Sequence, residues 1–180
     1  KYALNIRIPG WVKNEVVPSN LYTYSDTKRL GYTIKVNGKP VEGELKQGYF
    51  VINRNWKKGD KVDVHFDMEA RTVRANGKVA ADKGRVSVER GPIVYCAEWP
   101  DNKCDVLSVL INQEPKFTLG SEEIMNTKVQ TLTTDAQTLN FSKDGKLQTT
   151  DEKLVLIPYY AWNHRGPGKM TVWIPQDLNA

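Results

Sequence analysis

The chain has 180 residues, 39% of them hydrophobic, which suffices for one core or for two small cores that share an interface. Its 26 basic and 21 acidic side chains give a formal charge of +5, but the basic residues are scattered among the acidic ones and do not form a block. This mixing disfavours a nucleic-acid interface, and the lack of a long apolar run excludes a transmembrane helix. We therefore expect a globular protein with no nucleic-acid partner and no membrane span.

The sequence starts at Lys1 inside an alternating strand pattern, without an initiator Met or a signal segment. We interpret the chain as a piece of a longer protein. Any secretion signal would then lie outside it, so the residues themselves do not report the compartment.

Alternation of apolar and polar residues predicts a meander of short strands in the first third of the chain, each with one wet face. These strands are predicted over residues 2–8, 32–36, 48–54 and 62–68. The dipeptide Asn37-Gly38 follows the second strand and is a strong hairpin signal.

The polar stretch from Arg71 to Gly84 is the candidate for an internal seam between two halves. Its basic residues Arg71 and Arg74 are expected at a solvated strand end and not in a phosphate clamp. Further strands are predicted over residues 85–89, 92–97, 153–157 and 169–174. The run at 92–97 is the most uniformly apolar and is expected to be central.

Residues 113–151 are weakly patterned, although residues 128–133 and 138–141 could be strands and residues 121–125 could form one helical turn. Short strands with frequent Gly, Pro and Asn predict an all-β, antiparallel β-sandwich. We expect a single module over residues 1–180, built as one compact unit or as two small β units that share an interface.

Candidate catalytic and metal-binding residues are few. Glu98 and Asp101 are the carboxylates that could form a glycosidase pair, but neighbouring acids in a loop are usually solvated. His65 and His164 are far apart, and no Cys or His has the spacing of zinc ligands. We therefore predict no catalytic residue and no metal ligand in this chain.

The two cysteines leave two states open. Cys96 and Cys104 could form a disulfide in an oxidising compartment. However, Cys96 lies in an apolar strand, where a buried free thiol is the commoner state, and spacing alone fixes no disulfide geometry.

Aromatic residues in or beside loops could stack on the apolar faces of sugars. They are Tyr22, Tyr24, Trp99, Tyr159, Tyr160 and Trp162. The alternative is that such rings complete the core or an inter-domain contact. Core packing is favoured for Trp11, Trp56 and Trp173, which lie in or next to strands.

The loop between the last two predicted strands crowds aromatic, amide, imidazole and guanidinium groups together, and loops held by strands often carry binding chemistry. His164 could shuttle a proton, but a loop His more often orients a turn. The fork of Arg165 could brace a carboxylate of a neighbouring domain. The candidate residues for an inter-domain or sugar contact are Tyr159, Tyr160, Trp162, Asn163, His164 and Arg165.

An ordered set of motifs carries a family resemblance. The motifs span residues 7–11, 36–38, 48–49 with 54–60, 90–95, and 158–166 with 170–173. Together they resemble the C-terminal part of the β-L-arabinofuranosidase-type enzymes, glycoside hydrolase family 127 and relatives. The resemblance covers nearly the whole chain, and residues 17–32 and 113–151 match least.

The resemblance implies a large secreted or periplasmic bacterial protein, in which an (α/α)6 barrel performs hydrolysis and β-sandwich modules follow it. In such enzymes the catalytic glutamate and the zinc-bound cysteines, one of them the nucleophile, belong to the barrel. None of those motifs is matched here, and neither role is carried over to Cys96. No cofactor is therefore expected in this chain, while zinc would belong to the barrel.

The expected function is that of a non-catalytic accessory module, which packs on the barrel of the same polypeptide and supports it. The alternative is a carbohydrate-binding module that uses the loop aromatics to bind glycan. A third hypothesis, an autonomous enzyme, would require a pocket with convergent acids or a metal.

Overall fold

The computed structural model describes residues 1–176 and Leu178, and these form β-strands joined by turns and short 3₁₀ helices. The strands are β1 (Tyr2–Arg7), β2 (Tyr22–Tyr24), β3 (Tyr32–Val36), β4 (Lys39–Pro40), β5 (Glu44–Lys46), β6 (Tyr49–Arg54), β7 (Val62–Phe66), β8 (Ala70–Ala75), β9 (Arg85–Arg90), β10 (Ile93–Glu98), β11 (Val109–Ile111), β12 (Thr118–Ile124), β13 (Thr127–Phe141), β14 (Leu147–Pro158), β15 (Met170–Thr171) and β16 (Ile174–Pro175). The 3₁₀ helices are Gly10–Lys13, Ala80–Asp82, Trp99–Asp101, Val106–Ser108 and Tyr159–Ala161. No helix among the described residues is long and apolar enough to cross a membrane.

The first β unit consists of two three-stranded sheets, in the orders β1-β6-β5 and β4-β3-β7. A buried core of Ile8, Val12, Ile34, Val36 and Ile52 belongs to this unit. Trp11 and Trp56 pack against the core, which confirms the core-packing prediction for both. The ring of Trp11 also meets Phe66 edge-on, with centroids 5.7 Å apart.

The second β unit is a ten-stranded antiparallel sheet, in which seven strands follow the order β11-β13-β14-β10-β9-β8-β2. The other three strands pair with members of this series: β12 with β13, β15 with β10, and β16 with β9. Its core is an apolar cluster that includes Val88, Tyr95, Leu132, Leu154 and Leu156. The antiparallel pairing in both units confirms the all-β fold class, and the two cores agree with two small β units that share an interface.

The prediction was wrong in detail where the sequence pattern is weak. Residues 121–125 do not form a helical turn, because residues 121–124 pair with β13. Met125 and Asn126, both with positive φ, make the two-residue turn between these strands. The two short strands predicted between residues 128 and 141 are one strand of 15 residues, β13.

Arg71 lies at the junction of the two units, and its expected position at a solvated strand end is wrong. The side chain is only 4% exposed. Its Nη2 donates to Oδ1 of Asp26 at 2.6 Å and to the side chain of Asn14, and its guanidinium lies 3.6 Å from the centroid of the Tyr24 ring. Arg71 opens the stretch proposed as a seam, residues 71–84, and that seam itself stays a prediction.

Candidate functional site

The candidate site is the loop that follows β14, beginning with the 3₁₀ helix Tyr159–Ala161 and leading to β15. Because β10 pairs with both β14 and β15, the loop is anchored at each end to the same strand. Ala161 and Trp162 pack with Cys96 and Ile157 in a third apolar cluster. The cluster fixes the inner side of the loop against the sheet.

Arg165 binds two carboxylates of its own chain. Its Nη1 donates to Oδ1 of Asp101 at 2.6 Å, and its Nη2 donates to Oδ2 of Asp101 at 2.5 Å and also to Oε2 of Glu98. Glu98 is 2% exposed, so the expectation that these acids are solvated is wrong. A buried carboxylate requires such a counter-ion.

Asn163 completes this cluster, which we call the Arg165 clamp (Glu98, Asp101, Asn163 and Arg165). The backbone N–H of Asn163 donates to Oε1 of Glu98 at 2.9 Å. Asn163 has a φ of 68°, a left-handed conformation that Asn tolerates better than most residues. The hydrogen bonds that Arg165 donates, first to Asp101 and then to Glu98, outweigh burial and raise the pKa of Arg165.

The geometry of the clamp suits a structural role. A glycosidase pair needs one carboxyl group that can hold and release a proton beside the substrate. Glu98 is buried, and the oxygens of both acids accept hydrogen bonds from a permanently charged guanidinium or from a backbone N–H. The clamp therefore holds the loop against the end of β10.

Next to the clamp, aromatic and apolar side chains of the loop and of a neighbouring turn are exposed to solvent. Tyr159 and Tyr160 are 44% and 63% exposed, and Met125 at the turn between β12 and β13 is also exposed. We call these three residues the aromatic face. Tyr160 and His164 line a cavity of about 200 Å³ whose other walls are mainly apolar and include Met125. The ring of Trp162 is half-buried, 6.0 Å from that of Tyr159 and tilted by 36°.

All six predicted site residues thus lie in one loop, but some of them are exposed and others form internal hydrogen bonds. Exposed apolar area comes from Tyr159 and Tyr160, whereas Arg165 and the backbone of Asn163 serve the clamp. Sequence reasoning missed Met125, because its position depends on the β12–β13 turn, which was predicted as helix.

The other predicted sugar platforms are less available. Tyr24 is buried, so its selection as a platform was wrong. Tyr22 tilts against Trp173, with ring centroids 5.7 Å apart. Trp99 is exposed, but its indole lies against the backbone of Gly168, where an added Cβ would fall 1.9 Å from Cδ1 of Trp99. Gly168 is therefore needed for this close approach.

Both cysteines are free thiols, Cys96 buried and Cys104 half-buried. Burial, followed by the negative charges of Glu98 and Asp101, raises the pKa of Cys96 to about 12. A thiol that stays protonated is a poor nucleophile and a poor metal ligand. Within residues 1–176 and 178, no three His, Cys, Asp or Glu side chains gather in a group that could hold a metal ion.

The antiparallel sheets are those of an all-β protein consistent with a β-sandwich, and comparison with family models gives the family. Residues 1–68 match the model described as beta-L-arabinofuranosidase, GH127 middle domain. Residues 70–175 match the model described as glycoside hydrolase family 127 C-terminal domain. The chain therefore belongs to glycoside hydrolase family 127, and the resemblance seen in its motifs is confirmed.

Similar proteins are longer than this chain. It is 32% identical to a non-reducing end beta-L-arabinofuranosidase of Bifidobacterium longum subsp. longum, over 93% of the chain and 25% of that protein. The solved structure of a GH127 beta-arabinofuranosidase matches with a TM-score of 0.94 and 53% identity, over 99% of the chain and 28% of that structure.

A second solved structure, a GH127 beta-L-arabinofuranosidase from Geobacillus stearothermophilus T6, matches with a TM-score of 0.77 and 30% identity. That match covers 97% of this chain and 26% of the structure. The chain thus spans about a quarter of the length of the relatives it matches.

Proposed function

We propose that the chain is a non-catalytic accessory module of a longer family 127 glycoside hydrolase, where it packs on an (α/α)6 catalytic barrel of the same polypeptide and supports it. Its match to the family's middle and C-terminal domains supports this role. So does the greater length of its relatives, which are named as β-L-arabinofuranosidases. Under this proposal the catalytic residues and any zinc belong to the barrel, and the whole protein is periplasmic or secreted.

The observation that carries the proposal is the exposed aromatic face beside the Arg165 clamp, which fixes the loop to the sheet. Tyr159, Tyr160 and Met125 form an exposed apolar surface, while the polar groups beside them bind each other in the Arg165 clamp. Exposed apolar patches with polar rims mark interaction sites, and Tyr is enriched at such sites. A fixed surface of this kind suits a permanent contact, because little side-chain entropy is lost on docking.

Substituting Tyr160→Ser in two forms of the protein tests the proposal. In a longer polypeptide that includes the barrel, we expect the Tm to fall by about 2–4 °C, because an interface contact is lost. In the 180-residue chain alone, we expect almost no change, because this side chain is 63% exposed there. Differential scanning calorimetry of both forms measures the difference.

Phe141→Ser is the matched control, since Phe141 is 77% exposed at the far end of the β13–β14 hairpin. It should leave the Tm of both forms unchanged. An equal loss from Tyr160→Ser in the two forms would place Tyr160 in the module's own packing and contradict the docking role.

A carbohydrate-binding module is the second candidate, favoured by the neighbouring exposed rings of Tyr159 and Tyr160. The tilt of 36° between Tyr159 and the half-buried Trp162 weighs against a flat stacking platform. Titration calorimetry of the chain with arabinose-containing oligosaccharides is the test. Saturable heat corresponding to a Kd between about 1 mM and 1 μM, abolished by Tyr159→Ala, would favour sugar binding at this loop over docking.

A further inference from the structure

A cleft of about 530 Å³ lies where the two β units meet, away from the aromatic face. Residues of both sequence regions matched by the family models line it, among them Ser25, Asp26, Arg71, Arg74, Lys116 and Phe117. Its volume falls in the range of small-ligand sites. The cleft therefore has the size for one or two sugar rings.

The guanidinium of Arg74 forms hydrogen bonds with neutral side chains. Its Nε donates to Oγ of Ser25 at 3.1 Å, and its Nη2 donates to Oε1 of Gln176 at 2.9 Å and to Oε1 of Gln113 at 3.2 Å. None of the carboxylates in the described part of the chain forms a salt bridge with it. Within residues 1–176 and 178, no hydrogen-bond partner occupies its Nη1, which can bind a carboxylate from a ligand, and the guanidinium is already oriented.

The surroundings of Arg74 are basic as well. Arg74 and Gln113 also line a smaller adjoining cleft of about 290 Å³. Basic side chains outnumber acidic ones around the two clefts: Arg71, Arg74, Lys83, Arg85 and Lys116 against Asp26, Asp82 and Glu114. Arg71, 5% exposed, also has a buried Nη1 without a hydrogen-bond partner among the described residues. A net positive field in a concave surface attracts anions.

We propose that this cleft binds a carboxylate-bearing sugar, such as a hexuronic acid. The carboxylate binds Arg74 and Lys116, and the half-buried ring of Phe117 provides an apolar wall for the sugar ring. The carboxylate is inferred from the charges of the cleft, and the choice of a sugar rests on membership of a glycoside hydrolase family. The inference goes beyond the proposed accessory role, because it does not require contact with a barrel.

Titration of the 180-residue chain with four probes at low ionic strength tests the proposal. The probes are galacturonic acid, its methyl ester, galactose and acetate. We expect galacturonic acid to bind at least about tenfold more tightly than the other three, because only it combines a charge with a sugar ring. If the ester or galactose bound as tightly as galacturonic acid, the cleft would not recognise the carboxylate. If acetate bound as tightly as galacturonic acid, the cleft would not recognise the sugar ring.

Variants locate the site. Arg74→Gln should weaken galacturonic acid binding roughly tenfold and Lys116→Gln roughly threefold, since each removes one charge from the cleft. Lys116 is exposed, so its variant should keep the fold even if Arg74→Gln unfolds the junction. Lys103→Gln, which removes the same charge from an exposed residue of a different groove, is the control and should have no effect. Equal weakening by the control and by Lys116→Gln would contradict a specific site.

The two proposals fail separately. Tyr160→Ser should leave galacturonic acid binding unchanged, because Tyr160 does not line this cleft. Loss of binding in that variant would contradict the location of the sugar site, whatever the outcome of the docking test.

Discussion

At the residue scale, two arginines bind partners that are far away in the sequence. Arg165 binds Glu98 and Asp101, and Arg71 binds Asp26 and Asn14. A charge taken out of water costs several kcal/mol unless hydrogen bonds and a counter-ion replace the lost hydration. Each cluster therefore stabilises the fold only as a complete set.

Replacing Arg165 alone should be strongly destabilising. Arg165→Met leaves the buried carboxylate of Glu98 without its counter-ion, and we expect the free energy of unfolding to fall by about 3 kcal/mol. The double variant with Glu98→Gln should recover much of this loss, because the unpaired charge is gone. Urea denaturation of the 180-residue chain measures both effects.

Lys153→Met provides the control, since it breaks the exposed salt bridge to Asp135. We expect a change below about 0.5 kcal/mol there. If Arg165→Met lowered the free energy of unfolding by as little as Lys153→Met, the clamp would be no stronger than a surface ion pair.

At the element scale, Asn102 joins strands β10 and β14 where their backbone pairing ends. Its Nδ2 donates to the carbonyl of Glu98 at 2.8 Å and to that of Val155 at 3.0 Å, while the N–H of Val155 donates to its Oδ1 at 2.8 Å. One amide side chain thus satisfies three backbone groups in a partly buried region. It replaces the hydrogen bonds that a continued ladder would supply.

Removing this amide should weaken the joint between the strands. We expect Asn102→Leu to lower the free energy of unfolding by about 2 kcal/mol, because backbone groups of Glu98 and Val155 lose their partners. Hydrogen exchange at the amide of Val155 should speed up in parallel. Asn55→Leu, at an exposed position, is the control, and unchanged exchange at Val155 in the Asn102 variant would contradict the bridging role.

At the scale of the whole molecule, two β units with separate cores are joined because the first part of the chain contributes strand β2 to the sheet of the second unit. Strand β2 of the region matched by the middle-domain model pairs with β8 of the region matched by the C-terminal-domain model. Arg71 reinforces this pairing, since its bidentate contact with Asp26 crosses the same boundary. The two units should therefore unfold together.

Replacing Arg71 should uncouple them. We expect the unchanged chain to unfold in one calorimetric transition. In Arg71→Met we expect this transition to broaden or split in two, with a loss of roughly 3 kcal/mol in stability. Arg29→Met, which changes an exposed arginine close to Asp26 in the sequence, should keep one transition. A single, equally sharp transition in the Arg71 variant would show that the backbone pairing of β2 and β8 suffices for coupling.

The sequence by itself determined the fold class, the family and many strands. Residues 32–36 form β3 as predicted, because the period of alternation reports directly on which side of a strand faces a core. Cys96 is buried in β10 as its uniformly apolar run indicates, since such a run suits a strand that is covered on both faces. The aromatic loop was also predicted as one local cluster, since its residues are neighbours in the chain.

Only the tertiary structure decided which polar groups are buried and what they bind. Glu98 and Arg165 meet across 67 residues of sequence, and Asp26 and Arg71 across 45. A period-two pattern shows that a charged residue points to the opposite face of its strand from the apolar residues. It does not show which distant segment of the chain will cover that residue. The weakly patterned residues 127–141 became one long strand for the same reason, because their partners in β11, β12 and β14 decided their pairing.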